Sequence, residues 1–346
     1  MRCFFSSGWL KASAALWTIV IFSIVSDGAH SQTLKGIKER GNLACGVSQG
    51  IIGFSSQSAN SEWVGFDVDF CRALAAAIFN DPTRVRFSAL STDNRFRALQ
   101  SGEIDVLSRN STWTMSREVD LELEFAAVTY YDGQSFMTPR SRNVSSAVDL
   151  GGSKVCVQRG TTTELNLGDY FRSNGMAYEA VLVSSSDELI EAYNSNRCDV
   201  MTSDASQLHA YRLKLAKPDD HVILPDLISK EPLALAVRRG DEQWLTIVKW
   251  TAFAVINAEE LGITSKNIDD ALKSNKPAVQ RLVGTDGDYG ERMGLTLDWA
   301  TRIVRLVGNY GEIYDRNIGV KSQLGIPRGI NEQWNAGGIM YAPPIR

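Results

Sequence analysis

Ile104-Asp105-Val106-Leu107-Ser108-Arg109-Asn110-Ser111-Thr112-Trp113-Thr114-Met115-Ser116-Arg117 begins as a short apolar strand and passes into a polar loop running from Arg109 to Arg117. Open α/β sheets bind ligands just past the carboxyl ends of their strands, so this reading puts Asn110, Ser111 and Thr112 at a binding position. Arg117 offers a planar fork of donors that can hold a carboxylate bidentately, with Thr112 and nearby backbone amides as further donors. Taken alone, the stretch also fits a solvated loop whose Arg117 pairs with Glu118 or Asp120.

Upstream, Leu43 to Val47 and Val85 to Phe87 read as strands, and Asn94 to Ser101 as a short helix. Between the two strands, Phe70, Leu74, Ala77 and Ile78 recur at helical spacing, so Gly65 to Ile78 opens a helix. Asp67 and Asp69 fall where the positive end of its dipole favours carboxylates; a general acid/base couple is the other reading of that pair. Downstream, Phe125 to Met137 is extended and runs into Pro139, with a polar connector from Pro139 to Ser146. A second series then begins: strand Lys154 to Val157, helix Glu164 to Ser173, strand Val181 to Val183, helix Ser186 to Ser195 and strand Cys198 to Met201. Strands alternating with helices predict parallel sheets. Thr161, Thr162 and Thr163 lie at a strand-to-helix junction, where they can present hydroxyls and amides to a polar ligand or simply cap the helix. Asp204 ends its strand as Asn110 ends the first; its carboxylate can hold an ammonium group or cap the helix Ala205 to Leu215. Leu233 to Val237 is a further strand after a second connector, Glu242 to Ala258 an amphipathic helix, and Leu297 to Val307 a helix ahead of a Gly/Pro-rich tail, Gly325 to Arg346. Two connectors between two α/β lobes imply hinge closure around a ligand.

The 346 residues suffice for about two domains. A net charge of -4, with no basic block or aromatic-interleaved basic stripe, argues against nucleic acid and anionic membranes as partners. Residues 1–31 read as a secretory signal: Arg2 and Lys11, an apolar run from Ala14 to Val25, and Ala29-His30-Ser31 before cleavage; a signal anchor is the alternative. Cys45, Cys71, Cys156 and Cys198 remain in the exported chain. Of three possible pairings, coarse placement favours Cys45–Cys71 and Cys156–Cys198, with four buried free thiols as the alternative. Three histidines leave little for a metal site or a Ser-His-Asp triad, and the sequence has no Walker loop, dinucleotide fingerprint or nucleophile elbow. No cofactor or metal is expected, and a binding role fits better than catalysis.

The segment Gly65 to Ile78 resembles the signature of the extracellular solute-binding proteins of polar amino-acid ABC importers, family 3, and the resemblance runs from Thr33 to Ala258. Gly65-Phe66-Asp67-Val68-Asp69-Phe70-Cys71-Arg72-Ala73, Ser108-Arg109-Asn110, Gly160-Thr161-Thr162-Thr163-Glu164-Leu165, Gly308-Asn309-Tyr310-Gly311-Glu312 and Tyr341-Ala342-Pro343-Pro344 look like its general L-amino-acid-binding branch. The resemblance implies an α/β, two-lobed periplasmic binding protein fold (type II) with two crossover hinge connections. Lobe 1 would comprise 32–139 and 236–346, including a C-terminal extension, and lobe 2 would comprise 140–235. It further implies a monomeric periplasmic receptor that delivers L-amino acids to inner-membrane permease subunits. Arg117 matches the residue that grips the α-carboxylate, Thr112 the hydroxyl beside it, and Asn110 the position whose carbonyl meets the amine. Asp204 matches the acid for the α-ammonium, and Thr161 and Thr162 match second-lobe contacts. Ser48, Ile51 and Thr92 stand where many relatives have acidic or aromatic residues, which implies a wider pocket and broad specificity, with Trp113 as an aromatic wall. The same fold resembles the cyclohexadienyl and arogenate dehydratases, which keeps an enzymatic alternative open; a sensory module lacks a following membrane segment or signalling domain.

Overall fold

The computed structural model describes Met1, Cys3, Phe4 and residues 32–346, so the signal-peptide reading of 1–31 lies outside the described residues. The first run of elements is α1 (Gln32–Arg40), β1 (Leu43–Val47), β2 (Ser56–Gln57), β3 (Trp63–Val64), α2 (Phe66–Phe79), β4 (Val85–Ala89), α3 (Arg95–Gln100), β5 (Val106–Thr112), α4 (Met115–Leu121) and β6 (Leu123–Asp132). The second is β7 (Gln134–Pro139), β8 (Lys154–Gln158), α5 (Thr162–Ser173), β9 (Glu179–Val183), α6 (Ser186–Asn194), β10 (Val200–Asp204), α7 (Ala205–Arg212) and β11 (His221–Ile223). The chain then returns through β12 (Glu231–Arg238) and α8 (Glu242–Glu260). It ends in α9 (Ile268–Ala271), α10 (Pro277–Val283), α11 (Tyr289–Arg292), α12 (Trp299–Leu306) and α13 (Tyr310–Asn317). No described helix is long and apolar enough to cross a membrane.

Two sheets of five strands form the lobes, in the orders β4-β1-β5-β12-β6 and β11-β7-β10-β8-β9. Strands joined through helices are parallel, as expected: β1 with β4 and β5, β8 with β9 and β10. The sheets are nonetheless mixed, because β12 runs antiparallel to β5 and β6, and β7 and β11 run antiparallel to their neighbours. β7 follows β6 and β12 follows β11 without a helical crossover, so nothing forces these two into the parallel sense.

The crossing points differ from the expected boundaries at 139/140 and 235/236. The extended run from Phe125 is two strands in two sheets, separated at Gly133, and the return strand starts at Glu231. Gly133 is pressed against the other connector: a Cβ built there would meet the Ser229 carbonyl at 2.9 Å and Leu227 Cβ at 3.1 Å. The unbroken apolar character of Phe125 to Met137 hid this division, since both strands are buried in their own cores.

Helix α2 begins after Gly65, whose φ of 135° and close approach to the Phe54 carbonyl exclude a side chain. Its apolar face enters the largest core with Phe66, Phe70 and Leu74, joined there by Trp299, Ile303, Tyr310 and Tyr314 of the C-terminal extension. The extension is fastened to lobe 1. Arg328 pairs bidentately with Glu259 at 2.9 and 3.1 Å and lies over the rings of Tyr310 and Tyr314. The Asn331 side chain accepts from the Tyr131 amide at 2.7 Å and donates to its carbonyl at 2.9 Å, covering the edge strand β6 as a neighbouring strand would. Both expected disulfides are present, Cys45–Cys71 joining β1 to α2 and Cys156–Cys198 joining β8 to the approach of β10.

Candidate functional site

Between the lobes lies a cavity of about 50 Å³, lined from lobe 1 by residues that include Ser48, Thr92, Arg95, Arg109, Asn110, Thr112 and Arg117. Lobe 2 contributes Gln158, Thr161, Thr162, Ser203, Asp204, Gln207 and Tyr211 among others. The lobes touch around the cavity: Gln158 Nε2 donates to Thr92 Oγ1 at 2.9 Å, and Lys214 Nζ to the Gly50 carbonyl at 3.1 Å. The arrangement is closed.

Seven of the eight expected binding residues meet at this cavity; Trp113 does not. Its ring stacks on Phe125 at 5.6 Å in a core cluster of lobe 1, and its amide donates to the Pro232 carbonyl, so the proposed aromatic wall is absent from the lining. The stretch from Arg109 to Arg117 is also not one loop. Pairing with Leu233 and Ala234 of β12 extends β5 through Ser111 and Thr112, and Arg117 sits in the first turn of α4. Thr114 caps that turn by accepting from the Arg117 amide at 3.3 Å. Asn110 takes a positive φ of 28° within the strand, an irregularity that asparagine tolerates better than most residues. Its amide donates to Asp67 Oδ2 at 3.1 Å, and Ser108 Oγ donates to the Asp67 carbonyl at 2.8 Å. Asp67 thus braces the site against α2. Burial pushes its carboxyl up to about 7, opposed by the Asn110 amide and the nearby Arg109.

Arg117 pairs with neither Glu118 nor Asp120; Nη1 donates to the Thr112 carbonyl at 2.6 Å and the guanidinium lies over Phe96, 5.1 Å from its centroid. Arg95 covers the same ring at 4.6 Å and donates to the Thr92 carbonyl, yet its Nε has no partner although the residue is only 3% exposed. Burial lowers its pKa well below the ordinary range, and the positive charges of Arg109 and Arg117 add to that. Arg109 donates to the Leu90 carbonyl and to Thr92 Oγ1.

Asp204 is 4% exposed and does not cap α7 through its side chain. Asp132, across the hinge, takes that task by accepting from the Ser206 amide at 3.3 Å, which leaves Asp204 facing the cavity with Gln207 Nε2 as donor at 2.8 Å. Burial raises the Asp204 pKa well above the usual carboxylate range; Asp132 and Glu231 add to the rise and Arg117 opposes it. A cation placed beside it would reverse that shift.

The hydroxyls need a correction of sense. Thr112 was expected to donate to a carboxylate, but its proton goes to Glu231 Oε2 at 2.5 Å. Thr162 donates to the same oxygen at 2.9 Å, so both present lone pairs to the cavity. Thr161 does cap α5, accepting from the Glu164 amide at 3.2 Å while donating to the Gln158 carbonyl. Ser48 Oγ lies 2.6 Å from Ser55 Oγ. Asn110 Oδ1 is a buried acceptor without a partner. The site therefore combines lobe 1 guanidinium groups that pair with no acid across the cleft, the lobe 2 carboxylate of Asp204, and acceptor oxygens from both lobes, the pattern that receives both poles of a zwitterion.

Arg95, Arg109, Gln207, Tyr211 and Glu231 carry no ligand signal in the sequence. Arg95 follows Asn94 at the start of a helix read only for its apolar spacing; nothing local marks its burial. Glu231 stands before Pro232 in what was read as a connector. Asp204 was the available clue to Gln207 and Tyr211, one helical turn or two beyond it.

The sequence pattern of the bacterial extracellular solute-binding proteins, family 3, matches residues 43–266. The chain is 52% identical to the general L-amino acid-binding periplasmic protein AapJ of Rhizobium johnstonii, over 96% of this chain and 98% of that protein. It is 46% identical to the glutamate/glutamine/aspartate/asparagine-binding protein BztA of Rhodobacter capsulatus, over 97% of this chain and all (100%) of that one. The solved structure of an ABC transporter periplasmic binding protein from Brucella ovis with glutathione bound superposes with a TM-score of 0.90 at 52% identity, covering 92% of this chain and 100% of that one.

Proposed function

This chain belongs to the bacterial extracellular solute-binding proteins, family 3, and on that premise we propose that it binds L-amino acids between its lobes as the periplasmic receptor of an ABC importer. The observation that carries the reading is the buried, cation-free carboxylate of Asp204 sharing one cavity with Arg117, which pairs with no acid of its own. An α-carboxylate placed at Arg117 gains charge-assisted hydrogen bonds from a planar fork. An α-ammonium placed at Asp204 finds further acceptors in Thr112, Thr162 and the partnerless Oδ1 of Asn110. Each half of the zwitterion thus compensates a polar group that the closed cleft has taken out of water.

Arg95 refines the reading. Once Arg117 and Asp204 have met the backbone of an amino acid, the buried Nε of Arg95 still lacks an acceptor. This favours side chains that end in a carboxylate or carboxamide, within a range left broad by Ser48, Ile51 and Thr92 in the lining. The names of the relatives, one binding glutamate, glutamine, aspartate and asparagine and another carrying glutathione, support that preference. Delivery to inner-membrane permease subunits, a monomeric state and export through residues 1–31 are part of the proposal. The function is binding, without catalysis, as in those relatives.

Calorimetric titration of ligand-stripped protein with the common L-amino acids tests the reading. Binding of several, with glutamate, glutamine, aspartate and asparagine among the tightest, is the expected result. Absence of binding for all of them, or turnover of prephenate or arogenate, would overturn it.

A further inference from the structure

Glu231 is the one buried acid at the cleft that the binding scheme above leaves without a task. It opens β12 in register with Asp132 at the end of β6, so it lies where both connectors pass between the lobes. Its side chain is completely buried, with 0% exposure. Oε2 accepts from Thr112 Oγ1 at 2.5 Å and Thr162 Oγ1 at 2.9 Å; Oε1 accepts from Asn166 Nδ2 at 2.7 Å and Ser229 Oγ at 2.8 Å. A carboxylate in such a place is stable only when hydrogen bonds saturate it. Here saturation requires both lobes, because Thr112 belongs to the first and Thr162 and Asn166 to the second.

A threonine hydroxyl carries one proton. With that proton committed to Glu231, Thr112 and Thr162 can only accept from whatever occupies the cavity they line, and their oxygens lie 3.4 Å apart. An ammonium group, with three donors and no acceptor, matches two such oxygens and the carboxylate of Asp204. A hydroxyl released from Glu231 could rotate and donate instead, and would then receive an α-hydroxyl as readily as an α-amine. We propose that Glu231 is a positioning residue that fixes both threonines as acceptors for the ligand's α-ammonium, and that it does so only when the lobes are closed, making amine recognition and closure a single event. This assignment rests on the amino-acid reading above.

The test compares Glu231→Gln and Glu231→Asp with the parent, after thermal melts establish that the variants fold. Glutamine keeps one acceptor oxygen and turns an amide donor toward groups that already donate; aspartate is one methylene too short to reach both lobes. Dissociation constants are measured for L-glutamate against (S)-2-hydroxyglutarate, and for L-leucine against (S)-2-hydroxyisocaproate. The preference for amine over hydroxyl is expected to fall at least about tenfold in either variant, a discrimination of roughly 1.4 kcal/mol. In a Thr112→Val/Thr162→Val background, Glu231→Gln should shift that preference less than about twofold, since no hydroxyl remains to be aimed. Glu231→Asp carries the test alone if Glu231→Gln does not fold. Folded variants with an unchanged preference overturn the assignment, as does a full Glu231→Gln effect in the valine background. A parent protein that binds no L-amino acid overturns the amino-acid reading and this one together, and is distinguished because the failure then lies in the parent.

Discussion

The two walls of the cleft carry charges of opposite sign. Lobe 1 presents Arg95, Arg109 and Arg117, each donating to a backbone carbonyl, of Thr92, Leu90 and Thr112 respectively, and none pairing with an acid across the cleft. Lobe 2 presents Asp204 with a row of hydroxyls and amides and has no cation in the lining. A direct Arg–Asp bridge across the closed cavity would satisfy both walls and leave no affinity for a guest. Holding the two signs apart makes the guest itself the counter-ion, and the contrast predicts which substitutions remove binding and which only tune it.

Removing the cation that meets the carboxylate should have the largest effect. Arg117→Ala is expected to weaken amino-acid binding by roughly 2–5 kcal/mol, the usual cost of deleting one partner of a buried charge pair, as read by calorimetry. Arg95→Met should sharpen the contrast between the cations. Binding of glutamate and aspartate falls about tenfold to a hundredfold, consistent with losing one charged hydrogen bond of about 1.5–3 kcal/mol, while alanine and leucine bind as before.

The lobe 2 wall predicts a proton signal. Burial holds the pKa of Asp204 high, and an ammonium partner lowers it, so binding expels protons. Affinity should therefore fall as pH drops through the raised value, and titrations in buffers of different ionisation enthalpy should show proton release that Asp204→Asn abolishes. Asp67→Asn is expected to give the smallest effect. The Asp67 carboxyl titrates near 7 in the fold against 3.8 unperturbed, so its contribution to stability is complete below about pH 4 and is lost as pH rises through 7. Relative to the parent, the variant should melt higher at pH 8 than at pH 5, with little change in ligand affinity at the higher pH.

The alternation of strand and helix and the Gly65 turn were legible because each is local, a period and a glycine that must approach a backbone; the disulfide pairing was legible because each pair falls within one run of alternating elements. Arg117 and Asp204 were legible as residues but not as geometry. One was placed in a loop and belongs to a helical first turn, because the antiparallel partner that lengthens β5 comes from the far side of lobe 2. Trp113 reads as a ligand wall from its position beside polar residues, whereas in the fold it lies just past the end of β5 and its ring stacks on Phe125 in lobe 1. Arg95 and Glu231 were illegible for a common reason. Their roles come from burial created by contacts across long sequence separation, which no window of sequence displays.

The placement of β12 between β5 and β6 also bears on how the molecule assembles itself. The strands of lobe 2 come from one uninterrupted stretch and can find each other early, while the slot in lobe 1 must wait for a segment synthesised after all of them. Glu231 and Thr112, which meet at that slot, are 119 residues apart, and closing so long a loop delays pairing more than it weakens it. Pulse-labelling by hydrogen exchange during refolding should accordingly find the amides of β8 and β10 protected before those of β5. The ligand pocket, which needs both, would be the last part of the protein to exist.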